Sequence, residues 1–215
     1  MTQPIKYISW MIMTLFAAFL FAITAEYLSF RSDINFLQVK QDVVFDTVWR
    51  PTFYLHVISG MLIILIGPFQ FLKKFRNKNL ELHRKLGKIY AYGILMVGAP
   101  TGLIMAFYAE GGIPSTISFI IMSLLWFITT LMAVITVVKK DIISHQKWMY
   151  RSYALSFAAV TLRLLVPLMS WYTELSYDFI VVSTAWLSWI INLFVVELLI
   201  FYVFKPKKKE LNYKP

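Results

Sequence analysis

The segment Ser144 to Met169, SHQKWMYRSYALSFAAVTLRLLVPLM, begins at a polar edge and continues as an apolar run that contains one arginine, Arg163. A charged side chain at membrane depth is costly and is usually retained for a function. His145 and Arg163 are 18 residues apart, which is five turns of a helix with about 3.6 residues per turn. We therefore expect this segment to form one helix that presents both side chains on the same face.

The composition indicates an integral membrane protein. Hydrophobic residues make up 59% of the 215 residues and charged residues only 15%, whereas a soluble domain carries about 45–50% apolar and about 25% charged residues. The apolar residues form runs of roughly 20, the length that crosses a bilayer core. We predict a single all-α membrane domain over residues 1–215, a bundle of six transmembrane helices. The predicted spans are about residues 8–28, 51–72, 88–108, 115–138, 146–169 and 179–204.

Positive charge is distributed unevenly between the two sides of this predicted bundle. Lysine and arginine are concentrated in residues 73–88, 139–151 and 205–214, which would share one side, and the other side holds only Arg31, Lys40 and Arg50. The positive-inside rule then places both termini in the cytoplasm. This topology accounts for the net charge of +10 without a nucleic-acid partner. Because there is no cysteine, disulfides, iron–sulfur clusters and cysteine-held zinc are excluded.

Two of the three histidines, His83 and His145, lie at the cytoplasmic starts of two parallel spans at similar depth, and Gln70 would lie near them. Two imidazoles on neighbouring helices are the axial ligands of a bis-histidine haem, and helix bundles can hold such a site in their core. One interpretation is therefore a haem b site at the cytoplasmic side. The alternative is that both histidines bond to lipid headgroups or helix ends. The aromatic residues expected around a haem are Tyr90, Trp148 and Tyr150.

The third histidine, His56, is predicted in the outer half of the second span. It shares a helix face with Gly60, Gly67 and Gln70, since steps of 4, 7 and 14 residues return to the same side. Small residues on such a face allow another helix to approach closely. This face would therefore lie inside the bundle.

His56 and Arg163 would form a second polar site, on the outer side. One interpretation is a ligand and proton site for a quinone or an anion, with Arg163 as donor and His56 as proton carrier. The alternative is that Arg163 reaches the interface or pairs with Glu26, Glu174 or a backbone carbonyl. Further members of this outer cluster would be Glu26, Trp171 and Tyr172.

Other polar residues of the spans have simpler expected roles. Thr184, Ser188 and Asn192 follow each other at four-residue intervals in the sixth span and should face the interior. Glu197 is either a proton-relay carboxylate or the partner of Arg151 or a tail lysine. The fourth span has almost no strongly polar residue and is expected to face lipid. No metal site is predicted, because zinc would require His83, His145 and Glu197 to converge from three helices.

Three separated motifs resemble a bacterial membrane family known as domain of unknown function 2306. Together they cover roughly residues 55–167 and include all three histidines and Arg163. The resemblance implies an integral membrane protein of a bacterial cytoplasmic membrane, and it implies no activity. The motifs are His56-x-x-x-Gly60 leading to Gly67-Pro68-Phe69-Gln70-Phe71, then His83-Arg84-x-x-Gly87-x-x-Tyr90, then His145-x-x-Trp148-Met149-x-Arg151-Ser152 followed by Thr161-Leu162-Arg163.

Three functions are compatible with this pattern. The first is a membrane redox or haem-handling protein, similar to a b-type cytochrome, with a haem at His83 and His145 and a quinone or proton site at His56 and Arg163. The second is a non-enzymatic accessory or assembly component that binds another membrane protein. The third is a small transporter that uses His56, Arg163 and Glu197, for which helix breaks inside the third span would be required.

Overall fold

A computed structural model gives the structure of residues 3–204. The tail lysines used in the orientation prediction, residues 205–214, lie outside this described part of the chain. Residues 3–204 form α-helices joined by short connections and contain no β-strand. The nine α-helices of this range are α1 (Gln3–Ala25), α2 (Trp49–Phe71), α3 (Lys73–Lys78), α4 (Leu80–Tyr92), α5 (Ala99–Ala106), α6 (Gly112–Val138), α7 (Ile142–Ser156), α8 (Ala158–Tyr172) and α9 (Tyr177–Val203).

Within residues 3–204, six stretches are long and apolar enough to cross a membrane, in agreement with the predicted number of spans. The segments 72–79 and 139–141 connect spans at one end of the bundle, called here the basic end. The segments 26–48, 107–111 and 173–176 connect spans at the opposite end, called here the far end. In chain order, the first to sixth spans are Tyr7–Ser29, Trp49–Phe71, Leu80–Ala106, Gly112–Val138, Ile142–Tyr172 and Tyr177–Val203.

Every span begins before the apolar run that predicted it, and the third differs most, since α4 begins at Leu80. The Asn79 side chain accepts a hydrogen bond from the backbone N–H of Leu82 at 3.0 Å and caps this helix. Glu81 and Lys85 add an ion pair one turn apart at 2.7 Å. Polar residues with good caps therefore extend the helix beyond its apolar part, and the first turn of α4 contains His83.

The fourth span has one packed face and one exposed face. Helix α6 contacts the third, fifth and sixth spans, whereas Ile113, Leu124 and Val138 are exposed. Hydroxyl residues form the packed face: Ser118 donates to the Ala185 carbonyl of the sixth span at 2.9 Å and accepts from the Trp189 indole at 3.0 Å. The buried residues of this helix are Ser115, Ser118, Ser123, Trp126, Thr129, Thr130, Ala133 and Thr136.

The polar stripe of the sixth span faces the interior, as predicted. Thr184 and Ser188 are buried. Asn192 donates to the Ala154 carbonyl at 3.2 Å and accepts from the Thr161 hydroxyl at 3.0 Å, so it joins the sixth span to both halves of the fifth. The fifth span itself is divided at Phe157, where α7 ends and α8 begins.

The third span is interrupted by a π-helical segment, Gly93–Gly98, between α4 and α5. Such segments widen one helical turn and often occur at functional sites. Pro100 follows in the first turn of α5. The interruption lies where the third span packs against α2.

One close helix contact is built around Gly67 in the second span. A Cβ atom at Gly67 would lie 1.8 Å from Cε2 of Tyr153, so only glycine admits the ring. The Tyr153 hydroxyl donates to the Ile64 carbonyl at 3.1 Å. That carbonyl needs a donor because Pro68, four residues later, has no N–H. By contrast, Gly60 has no atom within 4 Å of such a position, so the predicted close approach occurs at Gly67 and not at Gly60.

A compact cap covers the far end. The segment after α1 forms two short 3₁₀ helices, Glu26–Ser29 and Asn35–Lys40. Buried Lys40 donates to the Tyr108 carbonyl at 2.6 Å and pairs with Glu110 at 2.5 Å, which ties this segment to the connection after the third span. Its apolar side chains form a small core of Tyr27, Leu37, Val44, Trp49, Phe53 and Tyr54.

Candidate functional sites at the two ends of the bundle

The two histidines predicted as a pair both lie at the basic end. His83 lies on the first turn of α4 and His145 on the first turn of α7, and their side chains are close enough for their charges to interact. His145 Nδ1 lies 2.8 Å from the carbonyl oxygen of Ala133 in the fourth span. Because a carbonyl only accepts, Nδ1 carries the proton, and Nε2 of the neutral ring has its lone pair free. This is the tautomer that a ligating histidine needs.

Two polar atoms at this end have no partner among the described residues. They are Nδ1 of His83 and the amide nitrogen Nε2 of Gln70, and both are buried. The amide oxygen of Gln70 lies 3.4 Å from the Cβ position of Gly87, one turn after His83. Gln70 and His83 therefore share one polar region, as predicted. A buried polar atom without a partner is costly, and a ligand or ordered water would satisfy it.

Two arginines place positive charge near His83. Arg76 on α3 and Arg84 on α4 both act electrostatically on its imidazole. Glu197, in contrast, is held elsewhere: both its oxygens accept from Arg151, at 2.5 and 2.9 Å. The second interpretation of Glu197, as the partner of Arg151, is confirmed. We call Gln70, His83 and His145, with Arg76 and Arg84 beside them, the basic-end site.

The aromatic residues expected to line a haem are only partly free to do so. Tyr150 stacks on Phe71 with ring centroids 5.0 Å apart. The Trp148 ring receives the Arg151 guanidinium at 4.6 Å. Tyr90 is fully buried further inside the bundle. Tyr90 therefore belongs to a different polar cluster, described below.

At the far end, His56 is held against the third span. Its Nδ1 lies 3.0 Å from the Gly98 carbonyl, at the end of the π-helical segment, and 3.3 Å from the Thr101 hydroxyl. Donation to this carbonyl leaves Nε2 of the neutral ring unprotonated. The imidazole and the Ser123 hydroxyl both border Gly102, each 3.1 Å from its Cβ position.

Arg163 lies close enough to His56 and Tyr27 for its charge to act on both side chains. Its only hydrogen bond within residues 7–204 goes to the Ala159 carbonyl of its own helix, at 3.2 Å. No carboxylate of this range pairs with it, and Glu26 instead accepts from the Asn35 amide at 2.6 Å. One of the contacts expected for Arg163, a hydrogen bond to a backbone carbonyl, is therefore present. Within residues 7–204 its positive charge has no counterion. We call His56, Arg163 and Tyr27 the far-end site.

Two residues expected in the far-end site lie outside it. Trp171 and Tyr172 are 80% and 79% exposed, so they point away from the bundle. They lie in the last turn of α8, where aromatic side chains commonly meet the membrane interface. Tyr27 lies near Arg163 in their place.

A cluster of hydroxyl groups between the two sites was not predicted. Tyr90 from the third span contacts the hydroxyls of Ser152 and Ser156 from the fifth, at 3.0 and 3.1 Å. Thr130 from the fourth span contacts the Ser152 hydroxyl at 2.8 Å, and the Trp126 indole donates to Ser156 at 2.9 Å. The sequence contained a signal for this cluster. Ser152 and Ser156 lie seven and eleven residues after His145, a spacing that returns to the same helix face.

No group of three or more His, Cys, Asp or Glu side chains that could hold a metal ion occurs in the part of the chain that the structure describes. The sequence profile of a family described as Predicted membrane protein (DUF2306) matches residues 53–200, which include the whole basic-end site and, of the far-end site, His56 and Arg163 but not Tyr27. No curated protein and no solved structure shows significant similarity to the chain.

Proposed function

The chain belongs to the DUF2306 family of predicted membrane proteins, and we propose that it is a membrane redox protein that binds one haem b between His83 and His145. The observation that carries this proposal is the pairing of two imidazoles from different spans with unpartnered buried nitrogens around them. Neither imidazole is engaged by a carboxylate. A bound haem would supply one-electron chemistry.

The residues of the basic-end site fit this group in three respects. His145 is fixed by Ala133 in the tautomer that leaves Nε2 for a ligand. Nδ1 of His83 has no hydrogen-bond partner among the described residues, so this ring is free to take the orientation that a ligand would set. Arg76 and Arg84 make the surroundings positive, which suits the two carboxylates of a haem.

The far-end site is proposed to hold the polar head of a quinone or a small anion. Arg163 supports this role because its charge has no counterion among residues 7–204. A charge at membrane depth is stabilised by a polar partner, and a ligand carbonyl or carboxylate would provide one. His56, with Nδ1 on the Gly98 carbonyl, would present Nε2 as proton acceptor or donor.

The orientation proposed for this protein places the basic end in the cytoplasm of a bacterial cell. The segments at that end carry most of the lysine and arginine, which supports this topology under the positive-inside rule. The haem would then lie near the cytoplasmic face and the far-end site near the opposite face.

A visible spectrum of the purified protein tests haem binding. Protein expressed with a haem precursor and purified in mild detergent should show a Soret band, with a shift and sharp α and β bands after dithionite. His83→Ala and His145→Ala should each abolish or shift these bands. His56→Ala is the matched control, because it removes an imidazole from a different site, and it should leave the spectrum unchanged.

Two outcomes would contradict the redox proposal. They are a protein without a Soret band after haem supplementation, and a band that survives both histidine substitutions. The second function that we propose, in place of a redox role, is that of a small transporter. The observation in favour of a transporter is the π-helical segment Gly93–Gly98 beside His56, since interrupted spans commonly line transport sites.

A further inference from the structure

Hydrogen-bond donors at the far end of the bundle outnumber the acceptors that the chain offers them. An arginine carries five N–H groups, and within residues 7–204 the Arg163 guanidinium makes only one hydrogen bond, to the Ala159 carbonyl at 3.2 Å. The remaining N–H groups and the whole positive charge have no partner in this range. A cation at membrane depth is costly without a counterion, so Arg163 points to a group from outside the chain.

The Tyr27 hydroxyl near Arg163 also has a hydrogen to donate. Its oxygen accepts from the backbone N–H of Phe36 at 3.3 Å, and residues 7–204 offer no acceptor for its own hydrogen. Tyr27 is buried, so bulk water does not supply that acceptor. The charge of Arg163 acts on Tyr27, which places both donors in one region.

Two more donors of the far-end core have no hydrogen-bond partner among the described residues. They are the Tyr54 hydroxyl and the Trp49 indole N–H, and both atoms are buried. The rings of Tyr27 and Tyr54 meet the Phe53 ring edge-on, with centroids 5.2 and 5.4 Å away, and Trp49 stacks on it at 5.1 Å. Three donor side chains with an unused hydrogen therefore surround one phenylalanine, and Tyr27 connects them electrostatically to Arg163.

The described part of the chain supplies little negative charge to this region. The one carboxylate in it that acts electrostatically on Tyr27, His56 or Arg163 is that of Glu26. Glu26 is exposed and already accepts from the Asn35 amide at 2.6 Å. The neutral His56 ring offers a single lone pair, at Nε2, and in the doubly protonated ring this nitrogen also donates.

Space remains beside these donors. His56 and Arg163 both keep part of their surface accessible. On α2, one turn after His56, the Cβ position of Gly60 has no atom within 4 Å. The sequence neighbours Leu55 and Leu164 are exposed, so apolar side chains border the accessible part of the site.

We infer that the far-end site binds an oxyanion, either a carboxylate or a phosphate, between Arg163 and the hydroxyls of Tyr27 and Tyr54. This inference rests on the far-end site proposed above and selects the anion from its two possible ligands. A carboxylate can bind a guanidinium through both oxygens, neutralises its charge, and has about four lone-pair sites for donors. A quinone carbonyl accepts hydrogen bonds but leaves the charge of Arg163 uncompensated. The head group of a membrane amphiphile and a free anion share this chemistry.

Calorimetric titration of the purified full-length protein in a non-ionic detergent tests the inference. Octanoate and octanamide have the same chain and differ in the charge of the head group, and octanoate should bind about tenfold more tightly or better. Arg163→Gln should weaken octanoate binding by about tenfold or more and leave octanamide binding unchanged, since hydrogen bonds to charged groups are the stronger ones. Tyr54→Phe retains the ring and should weaken octanoate binding about tenfold through the lost donor.

A matched control and a second probe complete the experiment. Tyr153→Phe removes a buried hydroxyl that donates to the Ile64 carbonyl in another part of the bundle, so this variant should bind octanoate like the wild type. Inorganic phosphate is titrated in the same way. Phosphate binding that depends on Arg163 would support a site for a free anion, and octanoate binding without phosphate binding would support a site for a membrane amphiphile.

Two results would overturn the inference. One is equal affinity for octanoate and octanamide without any phosphate binding, and the other is oxyanion binding that Arg163→Gln leaves unchanged. Decyl-ubiquinone separates this failure from a failure of the far-end site itself. If only the quinone binds in an Arg163-dependent way, the selection of an anion is wrong and the site stands. If none of these probes does so, the proposed far-end site is wrong as well.

Discussion

Replacement of Gly67 by alanine should damage the bundle more than any other single methyl group added to the second span. The new Cβ would lie 1.8, 2.3 and 2.7 Å from Cε2, Cδ2 and Cζ of the Tyr153 ring. Carbon atoms in contact are normally about 3.5–4.0 Å apart. The ring would therefore have to retreat by about 2 Å, and the Tyr153 hydroxyl would leave the Ile64 carbonyl.

The expected cost combines two contributions. Overpacking of a filled interior costs about 1–3 kcal/mol. Loss of the hydroxyl leaves the Ile64 carbonyl without a donor, because Pro68 offers no N–H, and an unsatisfied buried acceptor costs about 1–3 kcal/mol. We expect Gly67→Ala to lower the free energy of unfolding by about 2–6 kcal/mol, as the sum of these two effects.

Titration with sodium dodecyl sulfate, followed by circular dichroism in mixed micelles, measures this free energy. Gly60→Ala is the control on the same helix, since no atom lies within 4 Å of its Cβ position. It should be neutral or stabilising by up to about 1 kcal/mol, because alanine is the better helix former. A Gly67→Ala protein no less stable than the Gly60→Ala protein would refute this account of the contact.

Four other substitutions, in three experiments, test the charged groups at the ends of the bundle. Arg151→Gln and Glu197→Gln should each lower the free energy of unfolding by a smaller amount when the other substitution is already present. The coupling should be about 1 kcal/mol or less, because Glu197 is half exposed. Additive effects in the detergent titration would contradict the ion pair. Lys40→Met should lower the free energy of unfolding by about 2 kcal/mol, which is less than the loss of a fully buried ion pair because solvent reaches Glu110. It should also speed proteolysis of the far-end cap, and unchanged proteolysis would exclude a role of Lys40 in holding that cap. Hydrogen bonds from the hydroxyl and N–H of Ser144 hold the pKa of Asp141 below its usual range. The Asp141 carboxylate therefore stabilises the folded protein above its unfolded pKa, and this stabilisation is lost as pH falls below about 4. The melting temperature should fall over this range, and Asp141→Asn should flatten that pH dependence.

The number of spans could be predicted from the sequence because it depends on length and apolarity alone. Each bilayer crossing must satisfy its own backbone hydrogen bonds, and only long apolar helices do so. The ends of the spans could not be predicted as well, because caps such as Asn79 and Asp141 extend helices through polar residues. His83 and His145 therefore lie on regular helical turns and not in loops.

The apolar content of a span did not predict which of its faces packs inside the bundle. In a membrane protein the interior is about as apolar as the surrounding lipid, so a buried span and a lipid-facing span have similar compositions. The hydroxyls of the fourth span illustrate this: Thr129 and Thr136 bond to the carbonyls four residues earlier in their own helix, at 2.8 and 2.7 Å. Small hydroxyl residues predict the buried helix faces better than apolarity does.

The sequence marks the π-helical segment of the third span only by glycines and a proline. Gly98, Pro100 and Gly102 lie at or just after this segment. The sequence did not reveal that His56 would bond to the carbonyl of Gly98 at that point. This contact depends on how two spans pack, which no local pattern encodes.

The fifth span carries polar side chains at every level of the bundle. His145, Ser152, Ser156 and Arg163 follow at intervals of seven, four and seven residues, which would return to one face of an unbroken helix. The break at Phe157 separates Arg163 on α8 from the other three residues on α7. Asn192 of the sixth span bonds on both sides of this break, because it donates to the Ala154 carbonyl and accepts from the Thr161 hydroxyl. The periodicity of the sequence therefore predicts the polar face of each half, and packing against the sixth span sets how the two halves are aligned.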